Sequence, residues 1–169
     1  SPEADFWAWF EEHQDVLFHF ERDQEGVFDM LRTAMQKVHP HLTFEFGPHD
    51  NDENGRRDFV ISANGIREAF PAVESLFAAT PPLPSWRFIK FRPRRPPMDI
   101  LFGDIRVEHK DIEVALEADR DKAGLTIFVR GFSKAKEEQY QQAVFLLLDQ
   151  TIGEYDMETR VGFIQGKPF

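Results

Sequence analysis

The 169-residue chain contains no cysteine. This absence excludes disulfide bonds, thiol nucleophiles and cysteine-based zinc or iron–sulfur sites, and it favours a cytoplasmic location. Tyrosine is scarce as well, with 2 Tyr against 18 Phe and 3 Trp. Because phenylalanine carries no polar group, most of these rings are expected in a core or an interface. No apolar run approaches the roughly 20 residues of a membrane span, so we expect no membrane partner.

Positive charge is also in short supply. Lys and Arg number 20 against 30 Asp and Glu, which gives a net charge of −10. Such a charge opposes long-range attraction to nucleic acid, and we do not expect nucleic acid as a partner. The length predicts a single domain over residues 1–169. The chain begins with Ser1 rather than Met, which suggests a processed or trimmed chain and leaves open whether it lacks upstream residues.

One pattern occurs twice, at an offset of 131 − 65 = 66 residues. A strand-like run leads into Gly65, and a matching run leads into Gly131. Each glycine is followed by a helical pattern and then by another strand-like run, and each copy is preceded by a further strand-like run. The repeat therefore predicts two ββαβ halves.

The predicted fold is α+β. Two ferredoxin-like ββαβ halves, at residues 41–92 and 98–169, form a mainly antiparallel sheet with helices on one face. A helical hairpin over residues 1–40 precedes them, because apolar residues there recur at helical spacing. Neither half is large enough to cover its own sheet, so the halves are expected to share one sheet or to pack together.

Local signals give the element boundaries. Asp5 is expected to cap the first helix, and Pro71 is expected in the first turn of a later one. The clearest helical pattern covers residues 135–152 and ends at Gly153. Residues 157–164 are predicted as the last strand. Another strand is predicted where apolar and acidic residues alternate, at Ile112, Glu113, Val114, Leu116 and Glu117.

Two segments resemble metal sites. Residues 50–55 match the first half of a calcium loop, but its twelfth position is Ile61 rather than Glu, so a solvated hairpin loop is favoured. His39, His41 and His49 lie near acidic residues of the same loop, yet share no helix face. The sequence leaves open whether the loop or these histidines bind a metal. It predicts no metal site and no cofactor.

A single basic segment stands out, at residues 86–97, with five positive charges and no negative one. Arg92, Arg94 and Arg95 are its candidate interaction residues. Basic residues between aromatics suit single-stranded nucleic acid, and the proline spacing suits an aromatic-lined groove. The favoured interpretation is a strand and linker whose arginines pair with the acidic surface of the same protein.

Two further groups are candidate interaction sites. Glu154, Asp156 and Glu158 alternate, so a strand would bring them to one side, where they suit a cation or acid–base chemistry. A solvated sheet edge protected by charge is favoured for them. Trp7 and Phe18 lie off the main apolar face of the first helix. Exposed rings there would form an aromatic patch for a dimer or a partner protein.

Residues 145–164, which run through Leu148-Asp149 and Gly153-Glu154 to Ile164, resemble the end of small bacterial proteins of uncharacterised families. In those proteins a helix ends in a Leu-Asp…Gly-Glu segment and a final strand follows. The predicted α+β layout also resembles the regulator of ribonuclease activity B family, which has a ferredoxin-like sandwich. That resemblance, together with the acidic composition, implies binding to a basic partner protein. It supplies no catalytic motif.

No catalytic set is visible elsewhere. The serines lack a Gly-x-Ser-x-Gly context, and neither Gly65 nor Gly131 belongs to a phosphate-binding glycine loop. We therefore predict a non-enzymatic binding or regulatory module that acts through a protein partner or self-association. The alternative is a small-ligand or metal-dependent enzyme with an acidic site between the sheet and the N-terminal helices.

Overall fold

The computed structural model describes residues 1–47 and 55–169. These residues form a mixed α+β structure with five α-helices and three small sheets, in which three strand pairings are antiparallel and two are parallel. The chain divides into two compact units, Ser1–Arg92 and Pro93–Phe169. In the described residues, no helix combines the length and the apolar character that crossing a membrane requires.

The first unit places three helices beside a three-stranded sheet. The helices are α1 (Pro2–Phe18), α2 (Gln24–Gln36) and α3 (Phe70–Ala78). The strands are β1 (Thr43–Phe46), β2 (Arg57–Ser62) and β3 (Trp86–Lys90). Strand β2 is central, antiparallel to β1 and parallel to β3.

Aromatic rings dominate the core of this unit. The strand register sets Phe46, Phe59 and Phe88 side by side, so their side chains share one face of the sheet. Phe10 of α1 packs on that face, with its ring centroid 5.0 Å from Phe59 and 5.6 Å from Phe88. Phenylalanine suits this face because its ring brings no hydroxyl group that would need a hydrogen-bond partner.

A buried cation lies at one end of β2. Arg57 is 3% exposed and pairs with Glu21. Its guanidinium also donates to the carbonyl oxygens of Gly47, at 2.9 Å, and Phe18. The ring of Phe20 lies 4.4 Å from its central carbon. The acidic partner, the two carbonyl groups and the ring together offset the cost of burying this charge.

The second unit contains two sheets and two helices. A hairpin of β4 (Ile100–Phe102) and β5 (Ile105–Val107) precedes the sheet of β6 (Ile112–Asp119), β7 (Lys122–Val129) and β8 (Val161–Pro168). The helices are α4 (Glu137–Ile152) and α5 (Glu154–Arg160). Strand β7 is central, antiparallel to β6 and parallel to β8.

Helix α4 covers the β4–β5 hairpin and the β8 side of the larger sheet. The core here is aliphatic, and its buried members come from β4, β5, β7 and both helices: Ile100, Ile105, Val107, Leu125, Ile127, Val129, Ala143, Val144, Leu147, Leu148 and Met157. Strand β6 supplies no buried residue to this core. That difference between β6 and β7 leaves an apolar strand face uncovered.

Several local predictions are confirmed, and two are wrong. Pro71 lies in the first turn of α3, and Gly153 ends α4 with a positive φ of 93°. The first helix is capped by Ser1, whose hydroxyl accepts from the N–H of Ala4, and not by Asp5. The last strand begins at Val161, because residues 154–160 form α5 instead. Their buried members Glu154 and Met157 are three residues apart, which is helical spacing.

Candidate functional site

Strand β6 is an open edge of its sheet. Asp111 accepts a hydrogen bond from the N–H of Arg130, so this pair is hydrogen-bonded across the strands. Backbone groups alternate along an antiparallel pair, and every second residue after Asp111 therefore faces β7. The residues between them direct their N–H and C=O groups away from the sheet: Ile112, Val114, Leu116 and Ala118. The eight-residue strand thus offers a row of backbone donors and acceptors.

Apolar side chains follow the same open edge. Val114 lies opposite Ile127 and Leu116 opposite Leu125, so both point to the face that holds the core. Their partners on β7 are buried, but Val114 is 50% exposed and Leu116 is 72% exposed. Helix α4 packs on β4, β5 and β8, and it does not cover the side chains of Val114 and Leu116. The apolar face of the sheet therefore extends onto β6, where no helix of the described residues covers it.

The opposite face of β6 is acidic. Glu113 and Glu117 lie there with Ala115 between them, and all three are exposed. Across the strand pair their neighbours are uncharged, Phe128 for Glu113 and Gly124 for Glu117. Within the described part of the chain, neither glutamate has an ion pair. An added strand would meet apolar side chains on one face and negative charge on the other.

The outer edge of β8 is blocked at Gly166 by a side chain. The amide group of Gln141 accepts a hydrogen bond of 2.8 Å from the N–H of Gly166 and donates one of 3.0 Å to its carbonyl oxygen. A glutamine side chain thereby occupies the place of a neighbouring strand's peptide group. Among residues 1–47 and 55–169, no side chain forms such a bond along β6. The two edges of one sheet therefore differ in accessibility.

Trp7 is in the core and not on the surface. It is 3% exposed, its indole N–H donates to the carbonyl oxygen of Leu76 at 2.8 Å, and its ring packs 4.8 Å from that of Phe88. The expected aromatic patch is therefore not formed by Trp7, because the β3 side of the sheet and α3 cover it. Phe18 is half-buried at the end of α1.

Phe18 lines an open cleft of about 320 Å³. Its other lining residues come from α1, the turn after it and the start of β3: Gln14, Asp15, His19, Ser85 and Trp86. The carboxylate oxygen Oδ1 of Asp15 lies 3.8 Å from the ring nitrogen Nε2 of His19. The indole N–H of Trp86 has no hydrogen-bond partner among the described residues, but it is fully enclosed and out of reach of a molecule in the cleft. The cleft therefore offers a carboxylate from Asp15, an imidazole from His19 and a hydroxyl from Ser85.

The basic segment is largely paired within the first unit. Arg87 forms two hydrogen bonds with Asp58, at 2.6 and 2.7 Å. Lys90 pairs with Glu74 at 2.7 Å, and Arg92 donates to the side-chain oxygen of Asn64 at 2.9 Å. Internal pairing of this kind leaves less positive charge for a nucleic acid.

The end of the basic segment is exposed. Arg94 and Arg95 lie on the surface, and the backbone N–H of Arg95 donates to the carbonyl oxygen of Gln150 at 2.8 Å.

The acidic triplet does not share one face. Glu154, Asp156 and Glu158 lie on α5, where a spacing of two residues turns Asp156 about 200° from each of the other two, whereas Glu154 and Glu158 are only about 40° apart. Glu154 is fully buried, whereas Asp156 is partly exposed and pairs with Arg160 at 3.3 Å. The predicted sheet edge of alternating acids is wrong, because these residues form a helix that turns Asp156 away from Glu154 and Glu158.

The predicted calcium motif and His49 lie outside the described residues, apart from Gly55. His39 and His41 are described, and the ring nitrogen Nδ1 of His39 accepts from the backbone N–H of His41 at 3.1 Å. In the part of the chain that the structure describes, no three His, Cys, Asp or Glu side chains lie close enough together to hold a metal ion.

A second charged cluster lies on the surface of the second unit. Asp99 accepts from both the ring and the backbone of His109, at 2.8 and 3.1 Å, and from Arg106 at 3.0 Å. The hydrogen bonds from His109, followed by that from Arg106, lower the pKa of Asp99. An ionised carboxylate can only accept, so ring nitrogen Nδ1 of His109 carries the proton. The cluster ties the segment before β4 to the segment after β5.

We compared the chain with protein-family models, with curated proteins and with solved structures, and none of these comparisons gave a match. The resemblance to the ribonuclease regulators remains a prediction. Sequence reasoning identified β6 as a strand but missed that it is an open edge. The sequence does show Val114 and Leu116 alternating with Glu113 and Glu117, but an ordinary half-buried strand has the same pattern.

Proposed function

We propose that the protein is a non-enzymatic binding module and that the open edge of β6 is its contact surface for another protein. One observation carries the proposal. The outward backbone groups of Val114 and Leu116 and their exposed apolar side chains occur on the same strand. Soluble proteins usually block such an edge, as Gln141 does on β8. An eight-residue edge strand with one exposed apolar face, and with no side chain of the described residues bonded along it, is expected where a partner strand is added.

Site-specific photocrosslinking tests this proposal. A photoreactive amino acid is placed at Leu116 and, as a matched control, at Leu101, which is 70% exposed on β4. In cells that produce the protein, we expect discrete crosslinked proteins from position 116 and none from position 101. Equal crosslinking at both positions, or none at position 116, would remove the support for β6 as a contact surface.

The finer description of the fold is part of the proposal. We propose that both units contain a ferredoxin-like ββαβ half and that α1 and α2 form an N-terminal hairpin. Two features support this. Each unit has a central strand that is antiparallel to the strand before it and parallel to the strand after its helix. In addition, Gly65 and Gly131 follow the central strands with positive φ, at 76° and 84°. A cytoplasmic location and the relation to ribonuclease regulators stay proposals of the same kind.

A second candidate is small-ligand binding in the cleft beside Trp86. The observation in its favour is the grouping of Asp15, His19 and Ser85 around a space of about 320 Å³. Native mass spectrometry of the purified chain tests it. A co-purified molecule that is lost in a Ser85→Trp variant would support ligand binding in the cleft. A ligand-free spectrum would count against it and would leave protein binding as the remaining proposal.

A further inference from the structure

We infer that the partner of β6 is an extended segment in which basic and apolar residues alternate, and that it joins the sheet as a fourth strand beside β6. The inference rests on the proposed function, since it assumes that β6 is the contact surface. It adds the chemistry of the partner, and it excludes a second copy of this chain from the same edge.

The backbone of β6 selects an extended peptide. The outward N–H and C=O groups recur at every second residue, at Val114 and Leu116 and at the flanking Ile112 and Ala118. Only the backbone of another strand presents donors and acceptors with that repeat. A helix satisfies its own backbone groups and cannot pair with this row.

The side chains of β6 determine which residues the partner segment would carry. Residues of an added strand alternate between its two faces, as those of β6 do. One set would lie beside Val114 and Leu116, where apolar side chains would extend the core face of the sheet. The other set would lie beside Glu113 and Glu117, where lysine or arginine would meet carboxylates that have no cation in the described part of the chain.

The same glutamates oppose self-pairing. A two-fold dimer would pair β6 antiparallel with β6 of a second copy. If Val114 pairs with Leu116 of the second copy, Glu113 lies opposite its Glu117. Moving the register by one step to either side places Glu117 opposite Asp111, or Glu113 opposite Asp119. Every central register thus sets two carboxylates face to face, which is destabilising, so β6 is kept free for a different partner.

The test measures binding of the full chain to two fluorescent eight-residue peptides by anisotropy. One alternates lysine with valine and leucine, and the other has glutamate in place of lysine. We expect the lysine peptide to bind at least about tenfold more tightly, because two cross-strand charge pairs change from attractive to repulsive. A Glu113→Lys, Glu117→Lys double variant is expected to reverse that preference.

A Leu116→Pro variant tests the geometry. It removes an N–H that points away from β7, so the pairing with β7 is preserved while strand addition is blocked. We expect it to bind neither peptide. If the variant does not fold, as judged by circular dichroism, Leu116→Lys takes its place and is expected to weaken binding of the lysine peptide.

Three outcomes would overturn the inference. The peptides could bind equally well, the lysine peptide could bind Leu116→Pro as tightly as it binds the unmodified chain, or light scattering could show a dimer that Leu116→Pro abolishes. Crosslinking at position 116 separates this inference from the proposed function. Crosslinks without lysine-peptide binding would leave β6 as a contact surface with a partner of other chemistry. The absence of both would contradict both proposals.

Discussion

The side-chain amide of Gln141 accepts a hydrogen bond of 2.8 Å from the backbone N–H of Gly166 and donates one of 3.0 Å to its carbonyl oxygen, and so blocks the outer edge of β8 at this residue. The side-chain amide of Gln141 thus makes the two hydrogen bonds that the backbone of a neighbouring strand would make to Gly166. It places a block on one edge of a sheet whose other edge, β6, has none among the described residues. Accessibility is therefore a property of β6 in particular and not of the sheet in general.

Replacing Gln141 with Ala is expected to lower the free energy of unfolding by about 1–2 kcal/mol, because two hydrogen bonds to the buried Gly166 are lost. Urea unfolding measures the change. The control is Gln142→Ala, which alters an exposed side chain on the same helix and should change stability by less than about 0.5 kcal/mol. Equal effects of the two substitutions would show that the amide pair does not stabilise β8.

Replacing Arg57 with Lys tests the buried cation of the first unit. Lysine keeps the charge but cannot reach Glu21 and the carbonyl oxygens of Phe18 and Gly47 together. We expect a loss of about 2–4 kcal/mol in the free energy of unfolding, measured by urea titration. Arg87→Lys is the matched control, because the Arg87–Asp58 pair is half-exposed and is worth about 1 kcal/mol or less. A loss for Arg57→Lys no larger than for the control would contradict the assignment.

The pKa of Asp99 tests the surface cluster of the second unit. His109 holds this pKa below the ordinary value for aspartate, which is about 3.9. We expect His109→Ala to raise it, as measured by carboxyl-carbon NMR titration, and His41→Ala to leave it unchanged. A depressed pKa stabilises the folded state above the unfolded value. This contribution is lost as the pH falls through the folded pKa. The difference in stability between the unmodified chain and His109→Ala that comes from Asp99 should therefore shrink at acid pH. An unchanged pKa in His109→Ala would rule out the hydrogen bond from the His109 ring as its main cause.

The sequence predicts the regular elements well where one local signal decides the outcome. Pro71 and Gly153 mark a helix start and a helix end through backbone geometry alone, and the structure agrees. It fails at residues 154–160, where Tyr155 and Met157 alternate with acidic residues as in a strand. These residues form a helix instead, in which Glu154 and Met157, three residues apart, are buried.

The candidate site depends on position in the sheet, which no local pattern encodes. Val114 and Leu116 alternate with acids as a strand buried on one face would. Whether a helix covers them depends on where α4 packs, through residues such as Val144 and Leu147 that are distant in the sequence. The role of Gln141 depends in the same way on Gly166, which is 25 residues further along the chain.

Amide hydrogen exchange along β6, measured residue by residue by NMR, tests the central claim most directly. Without a partner, the amides of Val114 and Leu116 are expected to exchange rapidly, whereas those of Ala115 and Glu117 are protected by β7. Saturation with the lysine peptide should slow exchange at Val114 and Leu116 and leave the alternate positions unchanged. Protection of all four amides in the free protein, or no change on adding the peptide, would contradict the assignment of β6 as the binding edge.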